Sequence, residues 1–221
     1  MKPTFNGGSV RDTDIAPLLK WPGGKRRLVK ILLPLIPATF GTYYEPFVGS
    51  GALFFALKPT EAFLSDKNRD LITTYRQVRA NPNAVINYLR RWKNNSSTYY
   101  SIRSRKPENN TVKAARLIYL STLSFNGIHR VNLAGQFNVP YGRKKHLQPC
   151  HVPRLRRVSA ALKNARLECE DFEDAVRNAT KGDFVYMDPP YTVTHSNNGF
   201  VKYNAKIFTW SDKERLARVA R

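Results

Sequence analysis

Apolar residues follow two alternating patterns along the chain. Some recur at the three- and four-residue spacing of one helix face, at residues 28–35, 68–79, 82–92, 112–123 and 154–162. Others form short continuous runs, near residues 43–47, 62–66, 165–170 and 183–188. Short apolar runs separated by helices are typical of a mostly parallel sheet that helices cover on both faces. The pattern therefore predicts an α/β fold with these four runs as strands.

This alternation is interrupted in the middle of the chain. Basic and aromatic residues are concentrated between Arg90 and Lys106, and apolar residues alternate on both sides of Leu133-Ala134-Gly135. The second pattern predicts a β-hairpin, a shape that fits the DNA major groove. A solvated charged face and an ordinary structural hairpin are the alternatives. The expected units are a flexible polar arm (1–17), a sheet domain (18–74 and 146–221) and an inserted, mostly helical subdomain with the hairpin (75–145).

The last apolar run leads into an acidic and proline-rich corner. Phe184 to Met187 are all apolar, which predicts a strand that is buried on both faces. Asp188-Pro189-Pro190-Tyr191 follows, and because proline cannot donate to a sheet ladder the chain must leave the sheet there. The carboxyl ends of strands are where open α/β sheets bind ligands. The alternative is a capping aspartate followed by a stiff turn.

Two glycine-containing turns near the amino terminus allow a ligand to approach the backbone closely. They are Lys20-Trp21-Pro22-Gly23-Gly24-Lys25 and Val48-Gly49-Ser50-Gly51, the second directly after the first strand. The third glycine of a dinucleotide fingerprint is replaced by Phe54, which argues against a nicotinamide cofactor. Asp66, at the end of the second strand, is placed to accept hydrogen bonds from ribose hydroxyls or to cap the next helix.

Charge and cysteine content narrow the class of partner. The 221 residues include 37 basic and 16 acidic residues, a net charge of +21, and the pI is near 10.3. Such an excess favours a polyanion, above all nucleic acid, over a merely solvated or membrane-facing basic surface. Cys150 and Cys169 offer no disulfide framework, so a reducing cytoplasm is expected. No apolar run approaches the roughly 18 residues that a membrane span needs.

Histidines and a cysteine are candidate metal ligands by residue type only. Their spacing matches no structural zinc pattern, so no metal is expected; the residues are His129, His146, Cys150 and His151.

The order of the motifs resembles that of a known enzyme family. The chain resembles the Dam-type, or D12 class, site-specific DNA adenine-N6 methyltransferases over residues 18–221. The features that carry the resemblance are the two glycine-containing turns, the basic insertion and the Asp-Pro-Pro-Tyr tetrad. The resemblance implies a Rossmann-like sheet with strand order 3-2-1-4-5-7-6. Because the chain stops at Arg221 with four predicted strands, we expect an incomplete sheet, as in a fragment truncated at its carboxyl end or a chain that a second polypeptide completes.

The resemblance also implies a cofactor, S-adenosylmethionine, and a catalytic corner. Asp188 and the Pro189 carbonyl would hold the adenine amine, Pro190 would keep the corner rigid, and Tyr191 would stack on the extruded base. The methyl transfer needs no metal. The residues expected to contact the cofactor are Trp21, Lys25, Phe47, Gly49, Gly51, Asp66, Asp171, Phe172 and Asp188.

Matched by position, the hairpin would recognise the sequence GATC in duplex DNA. Arg130 would bind a guanine edge, Ile128 and Pro140 would contact a thymine methyl, and Phe125 would wedge beside the extruded adenine. Lys144 stands where close relatives carry an aromatic residue. The full set of expected DNA contacts is Lys20, Phe125, Asn126, Ile128, Arg130, Pro140, Arg143 and Lys144.

Two other functions remain open from the sequence. One is a truncated, inactive remnant that binds DNA without modifying it. The other is an amino-methyltransferase that acts on RNA, because related tetrads serve other substrates. For the favoured DNA methyltransferase, the expected state is a monomer that is not bound to a membrane.

Overall fold

The computed structural model describes residues 15–190 and 208–220 of the chain. Within these ranges, the protein is built on one sheet of four parallel strands in the spatial order β3-β2-β1-β4. This order agrees with the first four positions of the order that the resemblance implies. The strands are β1 (Tyr43–Glu45), β2 (Ala62–Ser65), β3 (Ala165–Glu168) and β4 (Phe184–Val185).

Helices connect and cover the strands, and most begin within three residues of the predicted positions. The long predicted helix over 28–35 is instead a short helix followed by a 3-10 turn, because Pro34 cannot donate an intrahelical hydrogen bond. The helices are α1 (Val29–Leu32), α2 (Ala52–Leu57), α3 (Arg69–Ala80), α4 (Pro82–Arg91), α5 (Ser96–Ser104), α6 (Asn110–Leu123), α7 (Val152–Ala161), α8 (Phe172–Val176) and α9 (Trp210–Val219).

Asparagine side chains define where three of these helices begin. Asn68, Asn95 and Asn109 are the N-caps of α3, α5 and α6, and each accepts a hydrogen bond from the backbone N–H three residues later. Such a bond satisfies one of the donors that a helix start leaves unpaired. The α5 helix lies in the basic and aromatic stretch for which the sequence pattern predicted no helix.

One apolar core joins the sheet to the helices of the central segment. The α2 helix is almost entirely buried beside β1, and Tyr75 and Val78 of α3 continue this core. On the other side of α3, the buried face of α6 packs against α3, α4 and α5. Ile15, which the sequence pattern placed in a flexible arm, is only 7% exposed and belongs to the same core.

The strand that leads into the proline corner lies at the edge of the described sheet. β4 pairs with β1, and no strand of the described ranges pairs with its other edge. The expectation that Phe184 to Met187 are buried on both faces is therefore wrong: all four are half-buried, and only the first two have strand geometry. In residues 15–190 and 208–220, no helix combines the length and apolar character that crossing a membrane requires.

Candidate active site and nucleic-acid interface

Three of the residues predicted to act in catalysis or cofactor binding lie at the carboxyl edge of the sheet. The loops that follow β1, β2 and β4 carry Gly49, Asp66 and Asp188, and parallel strands bring their carboxyl ends to one edge. The site is therefore assembled from segments that are far apart in sequence.

The turn after β1 takes a shape that depends on glycine. Gly49 and Gly51 have positive φ angles of +45° and +64°, and the Gly51 N–H donates to the Val48 carbonyl at 2.6 Å. A Cβ on Gly51 would lie 2.9 Å from the Phe55 ring, which is itself buried in the core. The Tyr75 hydroxyl donates to the Gly49 carbonyl at 2.8 Å and holds the turn from the side of α3.

Asp66 ties this turn to the end of β2. Its carboxylate accepts the Gly49 N–H at 3.1 Å and the Asn68 N–H at 2.8 Å. Burial raises the pKa of Asp66, and the two backbone hydrogen bonds oppose that rise. The sequence pattern allowed Asp66 as the N-cap of α3. The N-cap is instead Asn68, whose side chain accepts a hydrogen bond from the Leu71 N–H.

The second glycine turn packs on the first. Gly24 donates to the Trp21 carbonyl at 3.1 Å, and Gly23 has a φ of +78°, the pattern of a type II turn with Pro22 before the glycine. A Cβ on Gly24 would lie 3.0 Å from the Ser50 hydroxyl oxygen, and one on Gly49 would lie 3.0 Å from the Trp21 ring. The two turns are thus in direct contact.

This turn places Lys25 against the acid of the proline corner. The Lys25 Nζ donates to both Asp188 carboxylate oxygens, at 2.5 and 2.6 Å, and to the Gly23 carbonyl at 3.0 Å. The two charged side chains are only 18% and 24% exposed. Pro189 is half-buried and Pro190 is exposed, while Tyr191 lies outside the described residues.

Aromatic rings form an apolar wall beside the site. The rings of Phe47 and Phe172 stack with centroids 5.3 Å apart, and the Phe208 ring contacts both. Asp171 is the N-cap of α8 and forms ion pairs with Lys67 at 2.5 Å and Arg215 at 2.6 Å. Asp171 and Phe172 were both expected to contact the cofactor; here the Asp171 carboxylate is ion-paired and the Phe172 ring is buried.

One acid near the site was missed by the sequence reasoning. Glu45, the last residue of β1, is buried and accepts a hydrogen bond from the Tyr43 hydroxyl at 2.8 Å. Burial raises its pKa to about 8, and the nearby charge of Asp188 adds to the rise. An acid at the end of an apolar strand, directly before a glycine turn, is the signal that could have identified it.

The segment predicted to contact DNA folds back on itself after α6. Antiparallel bridges pair Ser124 with Tyr141 and Val131 with Phe137, and the Gly135 N–H closes a turn by donating to the Asn132 carbonyl at 2.9 Å. The pairing is limited to isolated bridges rather than two regular strands. The Tyr99 hydroxyl of α5 fixes the returning arm by donating to the Val139 carbonyl at 3.0 Å.

Side chains that were expected to contact DNA occur along this segment. Phe125 is 53% exposed, and Asn126 has a positive φ of +54°. The Arg130 Nε donates to the Asn138 side chain at 2.8 Å, so its guanidinium is oriented from within the segment. Ile128 is half-buried, whereas the other expected contacts are exposed: Pro140, Arg143 and Lys144.

The first glycine turn and this segment touch each other. The rings of Trp21 and His129 stack with centroids 4.5 Å apart, and the exposed Lys20 lies against Gly127. Burial lowers the pKa of His129 to about 4, so its ring is neutral at physiological pH.

Candidate metal ligands are dispersed. Within the described ranges, no three His, Cys, Asp or Glu side chains form a group that could hold a metal ion. The His151 Nδ1 instead accepts the Arg154 N–H at 3.2 Å and caps α7.

Comparison with known proteins gives a consistent result. The family model of the D12 class N6 adenine-specific DNA methyltransferases matches residues 21–221. The type II methyltransferase M1.LlaDCHI of Lactococcus lactis subsp. cremoris is 39% identical over 213 residues, which cover 92% of this chain and 75% of the relative. The DNA adenine methylase of Serratia marcescens is 34% identical over 212 residues, which cover 91% and 76%.

An archaeal relative extends the similarity. The type II methyltransferase M.MjaIII of Methanocaldococcus jannaschii is 33% identical over 231 residues, which cover 94% of this chain and 80% of the relative. The family match begins at Trp21 in the first glycine turn and includes the second glycine turn, the inserted segment and the proline corner. The chain therefore belongs to the D12 class of N6 adenine-specific DNA methyltransferases.

Proposed function

We propose that the chain transfers a methyl group from S-adenosylmethionine to N6 of an adenine that is swung out of duplex DNA, within the sequence GATC. The observation that carries this proposal is the position of Asp188 and Pro189. They follow β4 at the carboxyl edge of the sheet. The Asp188 carboxylate is bound by Lys25, the last residue of the first glycine turn. Family membership supplies the reaction class, and the corner supplies the residues that could perform it.

The chemistry needs two hydrogen-bond acceptors beside the amine. The exocyclic amine of adenine is a weak nucleophile because its lone pair is delocalised into the ring. Asp188 and the Pro189 carbonyl would each accept one N–H, which frees the lone pair to point at the methyl donor. The prolines fix the backbone that carries this carbonyl, and Tyr191 stacks on the base. The methylated amine is positively charged and loses its proton readily to water, so no strong base is assigned.

The residues around the glycine turns fit the proposed cofactor. When bound, S-adenosylmethionine supplies an electrophilic methyl group on a sulfonium. Gly49 and Gly51 leave space where a Cβ would meet Trp21 and Phe55. The half-buried Phe47 ring offers an apolar surface for an adenine ring, and the buried Phe172 ring stacks behind it. Both Asp66 oxygens accept backbone N–H groups, yet each keeps a lone pair for a ribose hydroxyl.

For the DNA substrate, we assign recognition to the segment that returns on itself between Ser124 and Tyr141. Arg130, oriented by Asn138, would make a bidentate contact with a guanine edge. The exposed Phe125 ring is suited to fill the gap that an extruded base leaves. In this assignment Ile128 and Pro140 contact a thymine methyl, and the outer contacts come from Lys20, Asn126, Arg143 and Lys144.

The proposed organisation follows from these roles. Residues 75–145 form the target-recognition insertion, and residues 18–74 with 146–221 form the catalytic domain. The charge of +21 is expected to give a binding affinity that falls steeply with salt, because phosphate contacts release counterions. A chromosomal or phage DNA substrate and the free Cys150 and Cys169 suit a reducing cytoplasm, where the protein would act as a monomer.

The test is a transfer assay with the purified chain and S-adenosylmethionine that carries a labelled methyl group. Three substrates of equal length are compared: a duplex with one GATC site, a duplex with those four base pairs in another order, and single-stranded RNA of the same sequence. We expect label on N6 of adenine in the GATC duplex and little in the other two.

Each other outcome points to a different conclusion. Equal labelling of both duplexes would contradict the GATC assignment. Preferential labelling of the RNA would favour an amino-methyltransferase of RNA. Duplex binding without incorporation of label, while a known adenine methyltransferase labels the same duplex, would identify an inactive DNA-binding remnant.

A further inference from the structure

We propose that Lys25 is a positioning residue for the reaction: it holds the Asp188 carboxylate in the orientation that accepts an adenine N–H. This inference rests on the proposed function of Asp188. It assigns Lys25 a role toward the acid of the corner, which differs from the cofactor contact that the sequence resemblance implied.

The geometry around the Lys25 ammonium supports this role. The Nζ donates to both Asp188 oxygens, at 2.5 and 2.6 Å, and so fixes the plane of the carboxylate as well as its position. The same Nζ donates to the Gly23 carbonyl at 3.0 Å, which ties it to its own turn. An ammonium that bridges a rigid turn and a carboxylate restricts the rotation of both side chains.

The turn that carries Lys25 is itself held in place. The type II pattern of Trp21 to Gly24 sets the direction in which the chain leaves toward Lys25. Gly24 packs against Ser50, and Trp21 lies beside Gly49. Lys25 therefore connects the cofactor turns to the catalytic corner across 163 residues of sequence.

Burial distinguishes this pair from an ordinary surface ion pair. An exposed lysine–aspartate pair contributes little to stability, because water screens it and both side chains lose entropy. Here the side chains are only 18% and 24% exposed, so removing the ammonium would leave a partly desolvated carboxylate without this partner. That carboxylate is then expected to rotate toward water, away from the position that the adenine amine needs.

The pair leaves Asp188 able to serve the substrate. A carboxylate has about four lone-pair sites on its two oxygens, and Lys25 occupies one on each. A free lone pair can accept an adenine N–H while the ammonium stays in place. Pro189 offers its own carbonyl at the next position along the chain.

The test compares Lys25→Gln, Lys25→Arg and the wild-type chain. Single-turnover rate constants are measured at saturating labelled S-adenosylmethionine and saturating GATC duplex, and dissociation constants for both ligands are measured separately. The matched control is Lys113→Gln, which removes the lysine of another lysine–aspartate pair, between Lys113 of α6 and Asp70 of α3 at 3.8 Å. Thermal unfolding of each variant shows that it is folded.

We expect Lys25→Gln to lower the rate constant roughly tenfold to hundredfold, the size of effect that a misplaced reacting group produces. Both dissociation constants should stay within about twofold of the wild type, because the lost contact is made to Asp188 and not to a ligand. Lys25→Arg keeps a cation beside the carboxylate and should recover part of the rate, whereas Lys113→Gln should leave it unchanged.

Three results would overturn the inference. If Lys25→Gln weakens cofactor binding but leaves the saturated rate constant unchanged, Lys25 contacts the cofactor instead. An unchanged rate constant with unchanged affinities would show that the pair has no role in the reaction. Absence of transfer by the wild-type chain would contradict the proposed function itself, and this inference with it.

Discussion

The Trp21 ring stacks on the His129 ring with centroids 4.5 Å apart and planes 27° from parallel. Trp21 belongs to the cofactor turn and His129 to the segment assigned to DNA recognition, so this contact joins the two proposed binding regions. The Phe137 ring packs on His129 from the returning arm of that segment. A displacement of the recognition segment is therefore expected to move the turn that carries Trp21, and a displacement of that turn is expected to move the recognition segment.

This stack gives the first prediction. His129→Ala removes an aromatic pair, which contributes about 0.5–1.5 kcal/mol beyond its buried area. We expect the dissociation constant for S-adenosylmethionine to rise roughly twofold to tenfold, because Trp21 loses its support. Isothermal titration calorimetry of the free protein measures this change.

Two further variants separate stacking from other effects of that substitution. His129→Phe retains a ring without adding charge, and it should bind the cofactor nearly as the wild type does, because the wild-type imidazole is neutral. His146→Ala, at an exposed position, should have no effect. Unchanged cofactor affinity in His129→Ala would show that the two regions are not coupled through this contact.

The second prediction concerns the pH dependence of stability. The pKa of Glu45 is raised from 4.5 to about 8 by burial, so the folded state keeps a proton there that the unfolded chain releases. Stability from this group is therefore full below pH 4.5 and is lost as the pH rises toward 8. The slope is at most about 1.4 kcal/mol per pH unit.

Glu45→Gln tests this assignment because it removes the titration and keeps an oxygen that can accept the Tyr43 hydroxyl. Across the pH window, denaturant unfolding should show the wild type losing stability relative to the variant. Parallel stability curves for the two proteins would contradict a protonated Glu45 in the folded state.

The third prediction uses the close approach of Gly142 to α6. A Cβ at this position would lie 2.7 Å from the Ser124 carbonyl oxygen and 3.0 Å from that of Leu123. Both are backbone atoms, and the Gly142 N–H also donates to the Leu123 carbonyl at 2.8 Å, so little room for adjustment exists. We expect Gly142→Ala to lower the free energy of unfolding by about 1–3 kcal/mol.

Gly135→Ala provides the comparison within the same segment. Gly135 has a positive φ of +72° but no atom within 4 Å of an added Cβ. Gly135→Ala should therefore lower the free energy of unfolding only through backbone strain, by about 1 kcal/mol. Gly142→Ala should also weaken duplex binding, because it displaces the arm that carries Pro140 and Arg143. Equal stability and DNA affinity in the two variants would contradict the tight contact.

The sequence predicted the order of helices and strands well, because the spacing of the apolar residues that become buried determines where each element forms. Three of the four apolar runs coincide closely with strands of the sheet, and the Asn68 N-cap lies where a helix start was expected. The helix over Ser96–Ser104 was missed because most of its side chains are polar and only Tyr99 and Ile102 are buried. Tertiary packing on α6, rather than periodicity, accounts for that helix.

Contacts between distant segments could not be derived in the same way. The pairing of Lys25 with Asp188, the stacking of Trp21 on His129 and the burial of Glu45 depend on how loops meet at the sheet edge. Neither periodicity nor spacing encodes such meetings. The motifs nevertheless identified most of the residues that the fold brings together there.

The central claim is that Asp188 grips the amine of an extruded adenine, and its removal tests that claim most directly. The measurement is the single-turnover transfer of labelled methyl to a GATC duplex by Asp188→Ala and by the wild type, with duplex affinity measured in parallel. We predict that the rate constant falls by roughly a thousandfold while the variant stays folded and binds the duplex. Transfer at a rate near that of the wild type would contradict the account.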